Sequence, residues 1–214
     1  MSQAAPSATT PTRRYFEKRA EAFDRLYRRS SPGTWWLRRG PRRSRDFAVT
    51  VVARQSAPSV LDVGCGPGRV GEAVIEAGAR SYTGIDFSAH MLELARARLG
   101  RFDSVELVEG DFHAVDMAQT FDVVLALGLF DYLDEPVRAA EWMRPRCGGT
   151  LVATFSRRDR IKTPIRRFHY ELVHRCPLYF YKEPDAEATL RAAGFSSVEV
   201  AERSRRGFFV VAAP

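Results

Sequence analysis

The stretch 60–71, VLDVGCGPGRVG, constrains the fold of this chain more than any other. Val60-Leu61-Asp62-Val63 reads as a short buried strand, and glycines follow at once at alternate positions, Gly64, Gly66 and Gly68. A helical run over 70–77 comes next, stopped by Gly78. A strand turning tightly into a helix is the opening unit of an open α/β sheet, and such sheets bind ligands over the strand's carboxyl end. Glycine opens backbone angles closed to other residues and removes the Cβ that would block an approaching group. The turn is therefore expected to aim free backbone N–H groups at a ligand. Asp62 adds a carboxylate suited to a cationic amino group.

Downstream the strand–helix pattern repeats. Strands are expected at 82–85, 105–108, 121–127 and 150–155, and helices at 89–99, between Ser88 and Gly100, and at 135–143. The run 121–127 is apolar and continuous apart from Asp122, as in a strand covered on both faces. This alternation predicts a doubly wound parallel sheet. The chain then ends differently. A helix over 185–193, closed by Gly194, precedes two strands, 198–202 and 208–212, joined tightly enough to form an antiparallel hairpin at one edge of a seven-stranded sheet.

Two further regions frame this unit. Tyr15, Phe16, Ala20, Phe23, Leu26 and Tyr27 recur at helical spacing, and a second helix is expected over 41–53. The domain reading is a disordered tail at 1–12, a helical cap at 13–57 and an α/β domain at 58–214. The connection 156–182 is far longer than the usual run of about 2–6 residues. Its arginines, aromatics and histidines suit a substrate lid.

Composition narrows the function classes. A chain of 214 residues that is 45% hydrophobic suits one domain with modest additions. No apolar run reaches the ~18 residues of a membrane span, and the start lacks the pattern of a secretory signal. Cys65, Cys147 and Cys176 show no paired spacing, so neither a disulfide framework nor a cysteine zinc site is expected, and a reducing cytoplasm is the natural compartment. The net charge of +7 comes almost wholly from arginine, clustered at 13–54 and 157–175. Charge alone specifies no ligand, so a solvated basic face is the plain reading and a nucleic-acid surface the unfavoured alternative.

The glycine pattern admits a dinucleotide site, since Gly66, Gly68 and Gly71 satisfy G-x-G-x-x-G and Asp86 could hold a ribose in either case. That match starts late, because Gly64 and Cys65 already form the turn. Taken together, VLDVGCGPGRVGEAV, YTGIDFSAHMLELARARL, VELVEGDFHAV and FDVVLALGLFDYL resemble, in order and spacing over 58–155, the successive motifs of class I S-adenosylmethionine-dependent methyltransferases. The resemblance implies S-adenosylmethionine as cofactor. Gly64, Cys65, Gly66 and Gly68 would let the chain approach its methionine part, with Asp62 near the amino group. Asp86 would accept from the ribose hydroxyls, and Phe87 and Met91 would pack on ribose or adenine. Asp111 would accept from the adenine amine beside Phe112, and Leu127 and Gly128 would line the sulfonium side. Met91 and Phe112 suit core packing equally, and Asp111 suits a turn cap.

Methyl transfer needs alignment and shielding more than a catalytic triad. For a hydroxyl acceptor a base would help, and Tyr15, Asp131 and His169 are the catalytic candidates, with His113 and Tyr170 behind them. The outer segments, Tyr15-Phe16, the run Phe23-Asp24-Arg25-Leu26-Tyr27 and Arg205-Arg206-Gly207-Phe208-Phe209, are similar to magnesium-protoporphyrin O-methyltransferases. The histidine that group carries in its fourth-strand segment is Asp131 here, so that likeness carries nothing beyond the cofactor site. The motifs for methylating exocyclic amines or cytosine C5 are missing, and no acidic metal constellation is evident. By elimination the acceptor is a small molecule, methylated at oxygen. The alternatives are RNA or protein methylation on the arginine-rich surface, and a non-catalytic scaffold of the same fold.

Overall fold

The computed structural model describes residues 10–27, 39–159, 163–164, 168, 170–172 and 175–214. Its strands are β1 (Ser59–Val63), β2 (Ser81–Asp86), β3 (Val105–Glu109), β4 (Phe121–Ala126), β5 (Cys147–Ser156), β6 (Ser197–Arg203) and β7 (Gly207–Ala213). They form one sheet in the order β3-β2-β1-β4-β5-β7-β6. The first five strands pair in parallel. β7 runs antiparallel to both β5 and β6 and inserts between them. The doubly wound sheet with its C-terminal hairpin is thus the architecture observed.

Side-chain alternation builds a core on each face. Along β4, Val123 and Leu125 pack with Val52, Val74 and Leu99, from α2 (Arg39–Ala53), α3 (Arg69–Glu76) and α4 (Ala89–Leu99). Val124 and Ala126 face the other way, toward Met143 and Leu190 of α5 (Pro136–Met143) and α6 (Glu183–Ala192). Ser88 caps α4 by accepting from the Met91 N–H at 3.3 Å. β6 is an edge strand, where exposed Ser197, Glu199 and Arg203 alternate with buried Val198 and Val200. Charged side chains on such an edge discourage pairing with another chain.

At the amino end, α1 (Thr10–Tyr27) starts inside the stretch expected to be a disordered tail. Thr12 is buried, with its hydroxyl 4.0 Å from the Cys176 thiol. The physical reason is tertiary: a segment too polar to suggest a helix by itself is ordered by what it covers. The far end of the 156–182 connection is also tied down. Tyr179 N–H donates to the Asp131 carbonyl at 2.8 Å, Tyr181 N–H donates to the Ser156 carbonyl at 2.8 Å, and Tyr181 Oη donates to the Phe130 carbonyl at 3.0 Å. α1 meets this segment through Tyr15 and Tyr170, whose rings lie 5.8 Å apart. Among the described residues, no helix is long and apolar enough to cross a membrane.

The topology fixes where a ligand goes. β1 has β2 on one side and β4 on the other, so the chain leaves their carboxyl ends in opposite directions and opens a crevice there.

Candidate active site

A cavity of about 340 Å³ occupies that crevice. Gly64, Cys65, Gly66 and Pro67 form part of its wall, as the first motif predicts. The hydrogen bonding of the turn differs from expectation. Gly64 and Cys65 N–H both donate to the Ile85 carbonyl, at 2.8 and 3.0 Å, and Gly68 N–H donates to the Cys65 carbonyl at 3.2 Å. Gly66 N–H donates to Asp86 Oδ2 at 2.8 Å. The turn is closed on itself, so it offers a ligand room rather than donors. At Gly66, with φ +53°, a Cβ would meet nothing within 4 Å, so the cavity begins directly at the backbone. Gly68 and Gly71 do other work: a Cβ at Gly68 would press on Ala95 and Leu99, and one at Gly71 would strike the Tyr82 ring. Gly68, expected beside the cofactor, instead lets α3 pack close to α4.

Two carboxylates dominate this half. Asp62 is buried at the end of β1 and accepts from Tyr82 Oη at 2.8 Å. Burial, with the neighbouring charge of Asp86, pushes its pKa up to about 7 in spite of that hydrogen bond. Asp86 ends β2 and accepts from the Gly66 and Ser88 N–H groups at 2.8 and 2.9 Å. Burial pushes it up to about 6, against the pull of those bonds. Among the described residues, no guanidinium or ammonium counters either shift. A cationic ligand would supply the missing charge. A pyrophosphate would meet repulsion here, and a turn whose donors are already used.

Phe87, Met91, Gly110 and Phe112 continue the wall as an apolar slot. Met91 is both core and lining. Asp111 is not on the wall: it accepts from His113 N–H at 3.0 Å and caps the turn Phe112–Ala114, so its backbone neighbours reach the cavity and its side chain holds their shape. Leu127 and Gly128 line the opposite side. Gly128 has φ +76°, open space where a Cβ would stand, and an N–H donating to Thr154 Oγ1 at 2.6 Å.

The same cavity continues past the end of β5, where it meets Asp131, Ser156, Phe16, Tyr132 and the β6–β7 turn. Asp131 Oδ1 accepts from the Ser156 N–H at 2.8 Å, and Oδ2 accepts from the Ser156 hydroxyl at 2.6 Å. The other proposed bases fall elsewhere. Tyr15 is buried against Phe16 and Tyr170 and does not line the cavity; one helical position on, Phe16 does. Tyr170 and His113 are likewise off the wall, and burial lowers the His113 pKa. His169 lies outside the described residues. Sequence reasoning overlooked Thr154 and Ser156, whose signal was a period of two polar residues at the end of an apolar strand. It also overlooked Gly84, where a Cβ would stand 2.9 Å from the Cys65 sulfur. A glycine inside a strand marks such a close approach.

Cavity size, acidic lining and bare glycine wall together define a small-molecule site in an open α/β sheet, shaped for a cationic nucleoside-type ligand. S-adenosylmethionine fits it: two buried carboxylates stand ready for its positive charges, and the slot from Phe87 to Phe112 suits a flat base. Comparison with known proteins agrees. A family of methyltransferase domains matches residues 60–146. The demethylmenaquinone methyltransferase of Tropheryma whipplei is 30% identical over 177 residues, covering 77% of this chain and 67% of that protein. The malonyl-[acyl-carrier protein] O-methyltransferase of Halalkalibacterium halodurans is 28% identical over 112 residues, and the match spans 41% of its length. Among solved structures, the magnesium protoporphyrin IX methyltransferase of Synechocystis PCC 6803 with bound S-adenosylmethionine superposes with TM-score 0.73, 19% identity and 99% coverage of both chains, which speaks to the fold. The chain belongs to the class I S-adenosylmethionine-dependent methyltransferases.

Proposed function

We propose that this protein transfers a methyl group from S-adenosylmethionine to a small-molecule acceptor at oxygen. One observation carries the reading: a single cavity runs from the buried pair Asp62 and Asp86 to the Asp131–Ser156 pair. The cofactor supplies a methyl group on a positively charged sulfur and leaves as a neutral thioether. Asp62 holds its amino group, Asp86 its ribose hydroxyls, and the slot formed by Phe87, Met91 and Phe112 its base, with Asp111 keeping that slot in shape. Leu127 and Gly128 border the reacting end.

At the acceptor end, Ser156 commits its own proton to Asp131 Oδ2 at 2.6 Å, which leaves its oxygen lone pairs to face the cavity. As the acceptor oxygen bonds to the methyl carbon, its O–H bond breaks. That proton passes to Ser156 Oγ while the serine proton passes to Asp131. General-base help of this kind contributes about 10²–10⁴-fold in rate. Macromolecular acceptors are less well supported. Some arginines of the basic cluster at 13–54 are met in place by carboxylates, as in Arg13–Glu17 and Arg45–Asp46.

The test is a transfer screen with methyl-labelled cofactor across phenols, carboxylic acids, amines and RNA. Label should appear on an oxygen of a phenol or acid. Label confined to RNA or amines overturns the assignment, and failure to bind S-adenosylmethionine in calorimetry overturns the cofactor reading itself.

A further inference from the structure

The cavity is electrically lopsided. Its cofactor half carries Asp62 and Asp86, with no cation among the described residues offsetting them. Its outer half carries Arg43, from α2, and Arg206, from the β6–β7 turn, where the one carboxylate on the wall, Asp131, is engaged by Ser156. Arg43 is held in a fixed pose. Its Nε donates to Glu202, its Nη2 donates to the Arg203 carbonyl at 2.7 Å, and its guanidinium lies 5.9 Å from the centre of the Phe209 ring. Nη1 has no partner among the described residues. A guanidinium anchored through two of its nitrogens keeps further donors in a planar fork that matches a carboxylate.

Between the two ends the walls are aromatic. Phe16 and Tyr132 meet edge-on at 4.9 Å, and Phe208 and Phe209, where β7 begins, also line the cavity. These residues give this part of the wall an aromatic, apolar surface that a flat ring would cover. An aliphatic acceptor would forgo the ring contacts, and a cationic one would meet two guanidinium groups.

We infer that the outer half of the cavity takes a flat aromatic acceptor bearing an acid group, with the acid held at the mouth by Arg43 and Arg206 and a hydroxyl turned inward to Ser156. The inference rests on the proposed methyl transfer for the role of that hydroxyl. Binding of the acid is independent of it. The charge pattern sorts both ligands: the cationic cofactor is drawn to the acidic end and the anionic acceptor to the basic end, so neither competes for the other's half.

The probe is 6-hydroxy-2-naphthoate, whose hydroxyl and carboxylate lie at opposite ends, compared with neutral 2-naphthol. Both are titrated by their fluorescence into the protein alone and into the protein loaded with S-adenosylhomocysteine. The naphthoate should bind about tenfold more tightly than naphthol, the scale of one charge-assisted contact. Arg43→Gln and Arg206→Gln should each remove most of that preference while leaving naphthol and S-adenosylhomocysteine binding unchanged. Because Arg43 also ties α2 to β6, the Arg206 variant, in an exposed turn, decides the matter if Arg43→Gln lowers the melting temperature. Equal binding of the two probes, no binding of either, or an unchanged preference in Arg206→Gln overturns the inference. Failure to bind S-adenosylhomocysteine with the naphthoate preference intact would instead sink the cofactor reading alone.

Discussion

Asp86 holds two backbone amides and still faces the cavity, so its charge matters to both the shape of the turn and the ligand. Asp86→Asn keeps the size and one acceptor oxygen but removes the charge. We expect a loss of about ten- to a hundredfold in S-adenosylmethionine affinity, the range for hydrogen bonds to a charged group. S-adenosylhomocysteine should lose as much, since ribose is common to both. Calorimetry checks this, and an unchanged affinity rules out the ribose role. Acid should mimic the substitution. Asp86 titrates at about 6 and Asp62 at about 7 in the free protein. Affinity for the cationic cofactor should therefore fall steadily from pH 8 to pH 5, as protons take the place the ligand's charge would fill. A flat profile over that range, measured at constant ionic strength, would contradict the paired-carboxylate account.

At the scale of elements, the carboxyl end of β4 sets the width of the crevice, and Gly128 sits where the strand gives way to the next loop. Gly128→Ala places a methyl group in open cavity and strains a backbone at φ +76°, at a cost of about 1–2 kcal/mol. Gly78→Ala is the matched control: φ is +105°, the space is equally open, and the position lies between α3 and β2, away from the cavity. Both variants should lose similar stability in denaturant melts, and only Gly128→Ala should lose cofactor affinity. If both bind normally, Gly128 does not border the ligand.

These elements were largely legible from sequence, and the reason is physical. Stretches buried on both faces, such as 123–126, must be apolar, and Ser88 and Gly100 mark α4 by local chemistry. Hydrogen-bond destinations were not legible. Nothing in VGCGPG says that its amides turn inward to Ile85, Cys65 and Asp86, because those partners are set by how β1 and β2 align. That Phe16 and not the candidate base Tyr15 lines the cavity was not legible for a related reason. Adjacent helical residues differ by about 100° in direction, and only the packed neighbours decide which one faces the cavity.

For the whole molecule, the same two carboxylates link cofactor binding to stability. Their folded-state pKa values, about 7 and about 6, lie above the ordinary 3.8, so between roughly pH 4 and pH 7 the folded chain binds more protons than the unfolded chain. Their contribution to stability is full below that window and is lost as pH rises through it. At pH 8 the free protein therefore keeps two buried negative charges with no cation among the described residues beside them, a penalty the bound cofactor would relieve. Asp62→Asn removes one of those charges while retaining an acceptor for Tyr82 Oη. This variant should melt several degrees above the natural protein at pH 8, since each kcal/mol shifts a domain of this size by about 2–4 °C. The difference should shrink as pH falls through that window and vanish only at about pH 4. The gain at pH 8 should come with weaker S-adenosylmethionine binding, the exchange of function for stability expected where a site is held in an unfavourable state until its ligand arrives. A lower melting temperature for Asp62→Asn at pH 8 would mean that the charge on Asp62 is already satisfied within the fold, and the electrostatic case for a cationic ligand would fall with it.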